Sequence, residues 1–292
     1  MTVNAFNATA GSTTTGATTD TVTGTVVCSS ARSSIRFAAN LKWLFTEQPF
    51  LDRFDAAKQF GFAAVEYASP YEFDPDVLLV ALKKSDVKQV LINTPMARTN
   101  TIGSNGYGCM PEHIDQCRAG VEQAIRYASV LDCKLIHFLA GKVPENCSLA
   151  EAELVFRANL FWAAERAAAA GIVLVLECLN QVDAPRYFLR DLEHANTLAQ
   201  AIPHGNVKLL FDFYHAGMSG VDVLAEFGKY RSQIAHIQVA DIPGRHEPGT
   251  GALPWNDIAA AIVESNYVGW VGCEYAPIGS TAEGLRWRDT FR

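Results

Sequence analysis

From residue 35 onward, short apolar runs alternate with longer stretches whose apolar residues recur at helical spacing. The short runs predict buried strands, and the longer stretches predict amphipathic helices. The predicted strands are residues 35–40, 63–67, 87–92, 135–139, 172–176, 207–211, 234–239 and 268–273. The predicted helices are residues 50–60, 76–85, 111–131, 148–170, 191–201, 220–227, 255–265 and 281–291.

Local signals mark the ends of several helices. Gly61 and Gly171 follow the first and fourth helices, where glycine accepts the left-handed conformation that ends a helix. Ser148 precedes the fourth helix and Glu151 comes three residues later, which is the pattern of a capping box. The Gly-, Asn- and Thr-rich segment 93–111 predicts a long loop, and loops of that length are usually functional or mobile.

The strict alternation of strand and helix predicts an α/β fold with a parallel sheet and helices outside it. Eight such units between residues 35 and 292 fit a single-domain, closed (β/α)8 barrel, the TIM barrel. A doubly wound open sheet is the alternative, but no G-x-G-x-x-G follows the first predicted strand. In a barrel, the C-terminal ends of the strands meet at one face, which carries the active site.

Residues 1–34 differ in composition from the rest. They are rich in Thr, Ala, Gly and Ser, nearly free of charge, and lack a sustained apolar period. Such a composition predicts a disordered low-complexity extension ahead of the barrel domain. A secretory signal would need a basic start and an apolar core, and an organellar transit peptide would contain more Arg.

The amino-acid composition limits the kinds of molecule that the protein is expected to bind. The 292 residues are 49% hydrophobic, enough for a large core, and carry a formal net charge of -7, which disfavours an electrostatic grip on nucleic acid. The 7 cysteines contain no C-x-x-C pair, which favours free thiols in a reducing, cytoplasmic compartment. No apolar run is long enough to span a bilayer. We therefore expect a small-molecule substrate, with no nucleic acid and no membrane partner.

Four predicted strands end at a polar side chain able to hold a metal or move a proton. These residues are Glu177, Asp212, Gln238 and Glu274. They are distant in sequence and converge only if the barrel closes. Three carboxylates and one amide suit a hard divalent ion such as Mg²⁺ or Mn²⁺, whereas zinc would prefer more His or Cys.

Two histidines lie next to these residues. His236 precedes Gln238 by two positions, so both point into the barrel; His236 either supports the ligands or is a satisfied core residue. His215 follows Asp212 and is predicted within reach of a substrate oxygen. The alternative is that Asp212 only caps a helix and His215 is exposed.

The loop after the seventh strand, residues 241–251, carries Arg245 and His246. Both could hold a substrate carboxylate or hydroxyl, and Arg suits a planar carboxylate. The alternative is an ordinary solvated loop with incidental charge.

Two glutamates facing each other across a metal favour proton shuttling. One takes a proton from a carbon beside a carbonyl, and the other returns a proton to the neighbouring carbon. That reaction is an aldose–ketose isomerisation. Return of the proton to the same carbon would be an epimerisation, and sequence spacing does not separate the two.

Five stretches together carry a resemblance: Val65-Glu66-Tyr67 with Pro70-Tyr71, Leu139-Ala140-Gly141-Lys142, Phe211-Asp212-Phe213-Tyr214-His215, residues 243–251, and Gly272-Cys273-Glu274-Tyr275. From residue 35 to its end, the chain resembles the hydroxypyruvate isomerase family within the xylose isomerase-like barrels. The combination is specific, whereas each stretch alone is weak. The resemblance implies a (β/α)8 barrel that converts hydroxypyruvate to 2-hydroxy-3-oxopropanoate (tartronate semialdehyde).

The resemblance also implies roles for individual residues. Glu177 and Glu274 would be the catalytic acid–base pair, and they would bind a divalent metal together with Asp212 and Gln238. The implied substrate contacts come from residues in the matching stretches: His215, Arg245, His246 and Glu66. Association into a homo-oligomer is a further expectation from resemblance.

Four positions depart from the family pattern. Gly217 stands where Gln is usual, Ala252 stands where Glu is usual, and Ala276 and Ile278 replace Lys. These changes leave the four ligands intact but affect the choice of substrate. A 2-oxo-tetronate isomerase or a ketose 3-epimerase would keep the same ligands. A phosphodiester hydrolase resembling endonuclease IV and a non-catalytic sugar-binding barrel are the remaining alternatives; the acidic balance and Gln238 count against the former.

Overall fold

A computed structural model describes residues 35–97 and 101–291. The extension predicted for residues 1–34 lies outside the described residues. Eight parallel strands form a closed barrel in sequence order, which confirms the predicted TIM barrel. The strands are β1 Phe37–Asn40, β2 Ala64–Glu66, β3 Lys88–Asn93, β4 Leu135–His137, β5 Val173–Glu177, β6 Val207–Asp212, β7 Ile234–Val239 and β8 Val271–Cys273.

Eight α-helices surround the barrel in the described part of the chain. They are α1 Arg53–Gln59, α2 Pro75–Ser85, α3 Ile114–Val130, α4 Leu149–Ala169, α5 Leu192–Gln200, α6 Phe213–Met218, α7 Val223–Tyr230 and α8 Trp255–Glu264. Shorter 3₁₀ turns at Phe50–Asp52 and Pro111–His113 lead into α1 and α3, and a third 3₁₀ segment, Glu283–Phe291, ends the described chain.

The structure agrees with the predicted helix ends at Gly61, Ser148 and Gly171. Gly61 and Gly171 have φ angles of 79° and 66° directly after their helices. The Ser148 hydroxyl accepts a hydrogen bond from the Glu151 amide at 3.2 Å, so α4 begins at its predicted cap. Apart from residues 98–100, which are not described, the segment 94–110 contains no helix and no regular strand, as predicted.

Two predicted helices need correction, and one helix was not predicted. The helix predicted at residues 220–227 begins at Val223, because the Asp222 side chain accepts hydrogen bonds from the two amides of the first turn. The helix α6 was not predicted, since six residues are too few to show a helical period. The segment predicted as an α-helix at residues 281–291 is a 3₁₀ helix. Gly284 lowers its helical propensity, and the Gly284 carbonyl accepts a hydrogen bond from the Tyr275 hydroxyl.

The last strand is shorter than predicted. It begins at Val271 rather than at residue 268, and Val268 is 74% exposed in the preceding loop. No helix among the described residues is long and apolar enough to cross a membrane.

The barrel interior changes from apolar to polar along the strands. Side chains two positions apart on a strand point to the same face. Ala38, Ala64, Val175 and Leu210 are buried apolar residues, and each lies two positions before a buried polar residue at its strand end. Apolar packing therefore fills the lower barrel and leaves polar groups at the C-terminal ends of the strands.

Candidate active site

Polar side chains gather at the C-terminal ends of the strands. Glu177 and Asp212 are the last residues of β5 and β6, Gln238 is the penultimate residue of β7, and Glu274 follows β8. The register pairs Asp212 with Gln238 and Gln238 with Gly272, two residues before Glu274. All four predicted residues thus lie on one face of the barrel.

The upper group of this site is carboxylate-rich. One ligand atom each from Glu177, Asp212 and His215 all lie within 4.8 Å of one another. The Arg245 Nη2 atom donates to Glu274 Oε2 at 3.0 Å and lies 3.6 Å from Asp212 Oδ2. These five side chains form a cluster in which a single arginine opposes three acidic groups.

A lower group supports the cluster from below. Both Glu66 oxygens are engaged: Oε1 accepts from Asn40 at 3.0 Å and from Gln238 at 2.8 Å, and Oε2 lies 2.5 Å from His236 Nε2. Asn40 also donates to Glu274 at 3.3 Å. Glu66 therefore holds Gln238 in position directly and supports Glu274 through Asn40, and direct contact between Glu66 and substrate stays a prediction.

Burial controls the charges in the upper group. It raises the pKa of Glu177 well above its usual range, and the charges of Asp212 and Glu274 raise that pKa further. Burial also raises the pKa of Asp212 to about 7, although Arg245 acts in the opposite direction. Carboxyl groups with raised pKa values can exchange protons near neutral pH.

The two histidines of the upper cavity are held neutral. Burial lowers the pKa of His137 to about 3, and burial together with Arg245 and His137 lowers the pKa of His215 well below its usual value. His137 Nδ1 lies 3.3 Å from Glu177 Oε2. The Asn180 amide donates to His215 Nδ1 at 3.2 Å, so a neutral His215 carries its proton on Nε2. That nitrogen is therefore a donor, suited to a substrate oxygen rather than to a metal.

Three members of the predicted ligand set have an oxygen free for a divalent cation. Glu177 Oε1, Asp212 Oδ2 and Gln238 Oε1 are buried and have no hydrogen-bond partner within residues 35–97 and 101–291. A buried acceptor without a partner costs free energy unless a cation or a ligand satisfies it. Carboxylate and amide oxygens are the ligands that Mg²⁺ and Mn²⁺ prefer.

The loop after β7 is organised by a buried carboxylate that the sequence reasoning missed. Asp241 accepts hydrogen bonds from Gly249, Gly251 and Trp255 at 2.7–2.9 Å. A Cβ atom at Gly251 would lie 2.0 Å from the Ile242 carbonyl oxygen, so only glycine fits there. The resulting tight loop presents Arg245 to the upper group.

Aromatic rings fix the position of Arg245. Its guanidinium lies over the rings of Trp43 and Tyr214, with 5.1 and 4.7 Å to the ring centroids. His246 points elsewhere: its Nδ1 lies 2.7 Å from the Ala276 carbonyl oxygen, and His246 does not line the cavity described below. The structure thus brings Arg245 into the site, and substrate contact by His246 stays a prediction.

A cavity of about 280 Å³ opens above the upper group. Glu177, His215, Arg245 and Glu274 line it, so four of the predicted site residues share one space. The cavity also includes His137 and Lys142, to which sequence reasoning gave no role. His137 ends β4 after an apolar run, and this signal resembles the one that identified Glu177.

Two of the positions that depart from the family pattern have different surroundings. A Cβ atom at Gly217 would meet Leu253 at 2.9 Å and Ile242 at 3.2 Å, so apolar side chains fill the space beside Gly217. Ile278 is 66% exposed. A larger residue at position 217 would therefore require Leu253 to move.

Comparison with known proteins shows the family. The model of the xylose isomerase-like TIM barrel family matches residues 54–291. The chain belongs to this family. Within it, the chain is 37% identical over 256 residues to the 2-oxo-tetronate isomerase of Pectobacterium atrosepticum, covering 88% of this chain and 97% of that protein. It is also 37% identical over 258 residues to the hydroxypyruvate isomerase of Escherichia coli, covering 88% of this chain and 100% of that one.

One solved structure of a family member is similar in both sequence and fold. It is named AP endonuclease, family 2, from Brucella melitensis, and is 36% identical with a TM-score of 0.84. The match covers 88% of this chain and 99% of that chain. The family model and the two isomerase relatives confirm the resemblance to the hydroxypyruvate isomerase family. They also confirm the prediction that the chain is an isomerase within the xylose isomerase-like barrels.

Proposed function

We propose that this isomerase acts on a small 2-oxo acid and that its substrate is hydroxypyruvate, which it converts to 2-hydroxy-3-oxopropanoate. The observation that carries the proposal is the pair of glutamates, Glu177 and Glu274, lining one small cavity above buried carboxylates. A cavity of about 280 Å³ suits a molecule of three or four carbons. Relatives named for hydroxypyruvate and for 2-oxo-tetronate support the same substrate class.

The reaction moves one carbon-bound proton. One glutamate removes a proton from C3 of hydroxypyruvate, giving an enediol shared by C2 and C3. The other glutamate delivers a proton to C2, while the O3 hydroxyl proton is lost and O2 gains one. The atoms balance without an oxidant or a reductant, and the raised pKa of Glu177 makes its carboxylate a stronger base for a carbon-bound proton.

Neighbouring residues orient the reacting groups. His215 offers its Nε2 proton to a substrate oxygen, because its Nδ1 accepts from Asn180. Arg245 balances the charge of Glu274 and Asp212. His137 lies against Glu177, and because its pKa is lowered to about 3 it is too weak a base to take up the proton of that glutamate.

Glu177, Asp212, Gln238 and Glu274 would hold a divalent cation, either Mg²⁺ or Mn²⁺. A bound cation would stabilise the negative charge that develops on substrate oxygens during proton transfer.

The relative named AP endonuclease makes a phosphodiester hydrolase the second candidate. The ligand set and the charge of the chain count against it, because that class of enzyme would use a zinc cluster with more His and a basic surface, whereas this chain has Gln238 in the set and a formal net charge of -7. A ketose 3-epimerase would use the same glutamates and return the proton to the carbon it left.

An NMR time course in D₂O tests the proposal. Hydroxypyruvate is incubated with the protein, with and without Mg²⁺ or Mn²⁺. We expect 2-hydroxy-3-oxopropanoate to appear with deuterium at C2, and its formation to be faster with the ion. If folded protein gives no conversion, hydroxypyruvate is rejected, and 2-oxo-tetronates and ketoses are then compared. A moved carbonyl identifies an isomerase, and an inverted carbinol identifies an epimerase.

A further inference from the structure

Three acidic side chains, Glu177, Asp183 and Glu274, line the cavity above the upper group, and Asp212 of that group adds a fourth carboxylate next to it. Three cations line it among the described residues: Lys42, Lys142 and Arg245. A 2-oxo acid brings a further carboxylate into this acidic space, so its binding requires a cation that is not already matched.

Arg245 is largely matched by the protein itself. Its guanidinium bonds Glu274 at 3.0 Å, lies 3.6 Å from Asp212 and packs between two aromatic rings. Lys42 is exposed, and its ammonium lies 5.2 Å from the centroid of the neighbouring Trp43 ring.

Lys142 differs from Arg245 in its pairing and from Lys42 in its burial. It is half-buried, and it has no ion pair and no side-chain hydrogen bond to any other residue in the described ranges. Asp183, which lines the same cavity, already accepts from Asn180 at 3.1 Å and from the Tyr214 hydroxyl at 2.7 Å. Lys142 is therefore the cation of the cavity that is both sheltered from solvent and unpaired among the described residues.

The backbone around Lys142 is fixed on both sides. The Gly141 amide donates to Asn105 at 3.0 Å, and the Gly141 carbonyl accepts from Phe188 at 3.0 Å. The Val143 amide donates to Arg186 at 2.9 Å. Gly141 has a φ of 86°, and a Cβ atom there would lie 2.8 Å from the Gly106 carbonyl oxygen, so the turn that places Lys142 requires glycine.

We propose that Lys142 binds the carboxylate of the substrate and thereby makes the site select 2-oxo acids over neutral ketoses. This assignment rests on the proposed function and deepens it. The ammonium holds the non-reacting end of the substrate, while Glu177 and Glu274 act on C3 and C2. Lys142, Ser104 and Asn105 line both the active-site cavity and a second cavity of about 540 Å³. Lys142 therefore lies in the wall between the two cavities.

The test compares an acid with its neutral counterpart. Hydroxypyruvate and dihydroxyacetone share three carbons and the same reacting groups, but only hydroxypyruvate has a carboxylate. In Lys142→Met, we expect KM for hydroxypyruvate to rise about 10- to 100-fold, the range of a lost charged hydrogen bond, with a much smaller change in kcat. The kcat/KM for dihydroxyacetone should not fall, and Lys142→Arg should recover most of the loss.

Lys134→Met is the matched control, because Lys134 lies just before the opposite end of β4 and pairs with Asp132 on the surface. It removes the same charge and should leave KM unchanged. An equal fall in kcat/KM for hydroxypyruvate and dihydroxyacetone in Lys142→Met would show that Lys142 has only a structural role. That result would overturn the assignment. A KM effect in Lys42→Met but not in Lys142→Met would also overturn it.

A binding measurement separates this assignment from the proposed reaction. D-glycerate and glycerol have no carbonyl and cannot isomerise, so calorimetry gives their Kd without turnover. We expect Lys142→Met to weaken glycerate binding about 10- to 100-fold and to leave glycerol binding unchanged. That result would support Lys142 even if hydroxypyruvate proves not to be converted, and an unchanged Kd for glycerate would refute it. If Lys142→Met does not fold, Lys142→Gln allows the same comparison.

Discussion

The strands of the first half of the barrel, β1–β4, and those of the second half, β5–β8, end in different kinds of side chain. The strands β1–β4 end in Asn40, Glu66, Asn93 and His137. The strands β5–β8 end in or next to the residues of the proposed catalytic set, which are Glu177, Asp212, Gln238 and Glu274. The first half contributes mainly neutral groups, and its one carboxylate has both oxygens engaged. The second half contributes three carboxylates, two of which have a buried oxygen without a hydrogen-bond partner among the described residues.

Two carboxylates at equivalent strand ends therefore take different roles. Glu66 is surrounded by side chains of Asn40, His236 and Gln238, so its charge is used within the protein. Glu177 is buried near Asp212 and Glu274, so its charge is poorly compensated. A fully partnered carboxylate stabilises and positions its neighbours, whereas a poorly compensated one remains available for a cation, a substrate or a proton.

The largest expected effect comes from Glu177→Gln. We expect kcat to fall by about 10²- to 10⁴-fold, because the amide cannot take up a proton from carbon. The unfolding temperature should stay the same or rise, since the change removes a buried acidic group beside Asp212 and Glu274. Steady-state kinetics and thermal unfolding measure both quantities. Glu122→Gln, an exposed change, is the control, and a Glu177→Gln enzyme with normal kcat would remove Glu177 from the proposed mechanism.

Glu66→Gln should show the opposite pattern. The amide replaces an acceptor by a donor that faces Asn40 and Gln238, so we expect the free energy of unfolding to fall by about 2–4 kcal/mol. The KM for substrate should change little. Denaturant unfolding and steady-state kinetics are the measurements. A large rise in KM with unchanged stability would instead support the substrate contact that the sequence predicts for Glu66.

His137→Asn should reveal a smaller, pH-dependent effect. The pKa of His137 is about 3 in the folded protein and is expected near 6.5 in the unfolded chain. Below pH 6.5 the unfolded chain therefore binds a proton that the folded protein does not. Stability consequently falls as the pH drops from 6.5 towards 3, by up to about 1.4 kcal/mol per pH unit from this group.

Asp212 acts in the other direction, because its raised folded pKa of about 7 lets the folded protein bind a proton first as the pH falls. The difference in unfolding free energy between wild type and His137→Asn isolates the histidine. We expect this difference to change with pH between 6.5 and 3, and a constant difference would show that His137 does not remain neutral.

The smallest expected effect concerns the cation. Saturating Mn²⁺ should raise the unfolding temperature by several degrees, about 5 °C at one hundred times Kd, because the ion binds the folded protein preferentially. Asp212→Asn should abolish most of that shift, while Asp257→Asn, on the outer helix α8, should preserve it. A shift of equal size in both variants would place the ion elsewhere.

Much of the fold could be predicted because buried parallel strands appear in sequence as short apolar runs between helices. The helix α6 escaped prediction because its six residues are too few to show a helical period, although Asp212, which caps it, was considered as a helix cap. The four proposed oxygen ligands could be located at one end of the barrel because each ends an apolar run. Asn40 and His137 also end apolar runs. They were not predicted as site residues, because a neutral side chain at a strand end indicates metal binding or proton transfer less specifically than a carboxylate does.

The pairing of Arg245 with Glu274 could not be derived from sequence spacing. It depends on the path of the loop after β7, and hydrogen bonds from loop amides to the buried Asp241 set that path. The spacing of apolar residues does not show which loop amides donate hydrogen bonds to a buried side chain. For the same reason, the sequence did not separate Arg245, which lines the cavity, from His246, which faces the backbone of Ala276.

The most direct test of the central claim follows solvent exchange in Glu177→Gln and Glu274→Gln. Each variant is incubated with hydroxypyruvate in D₂O, and NMR records both deuterium at C3 of the substrate and formation of product. A reaction that uses two glutamates predicts that neither variant forms product efficiently, and that the variant retaining the C3 base still exchanges the C3 protons. Product formation at the wild-type rate in either variant would contradict proton transfer between Glu177 and Glu274.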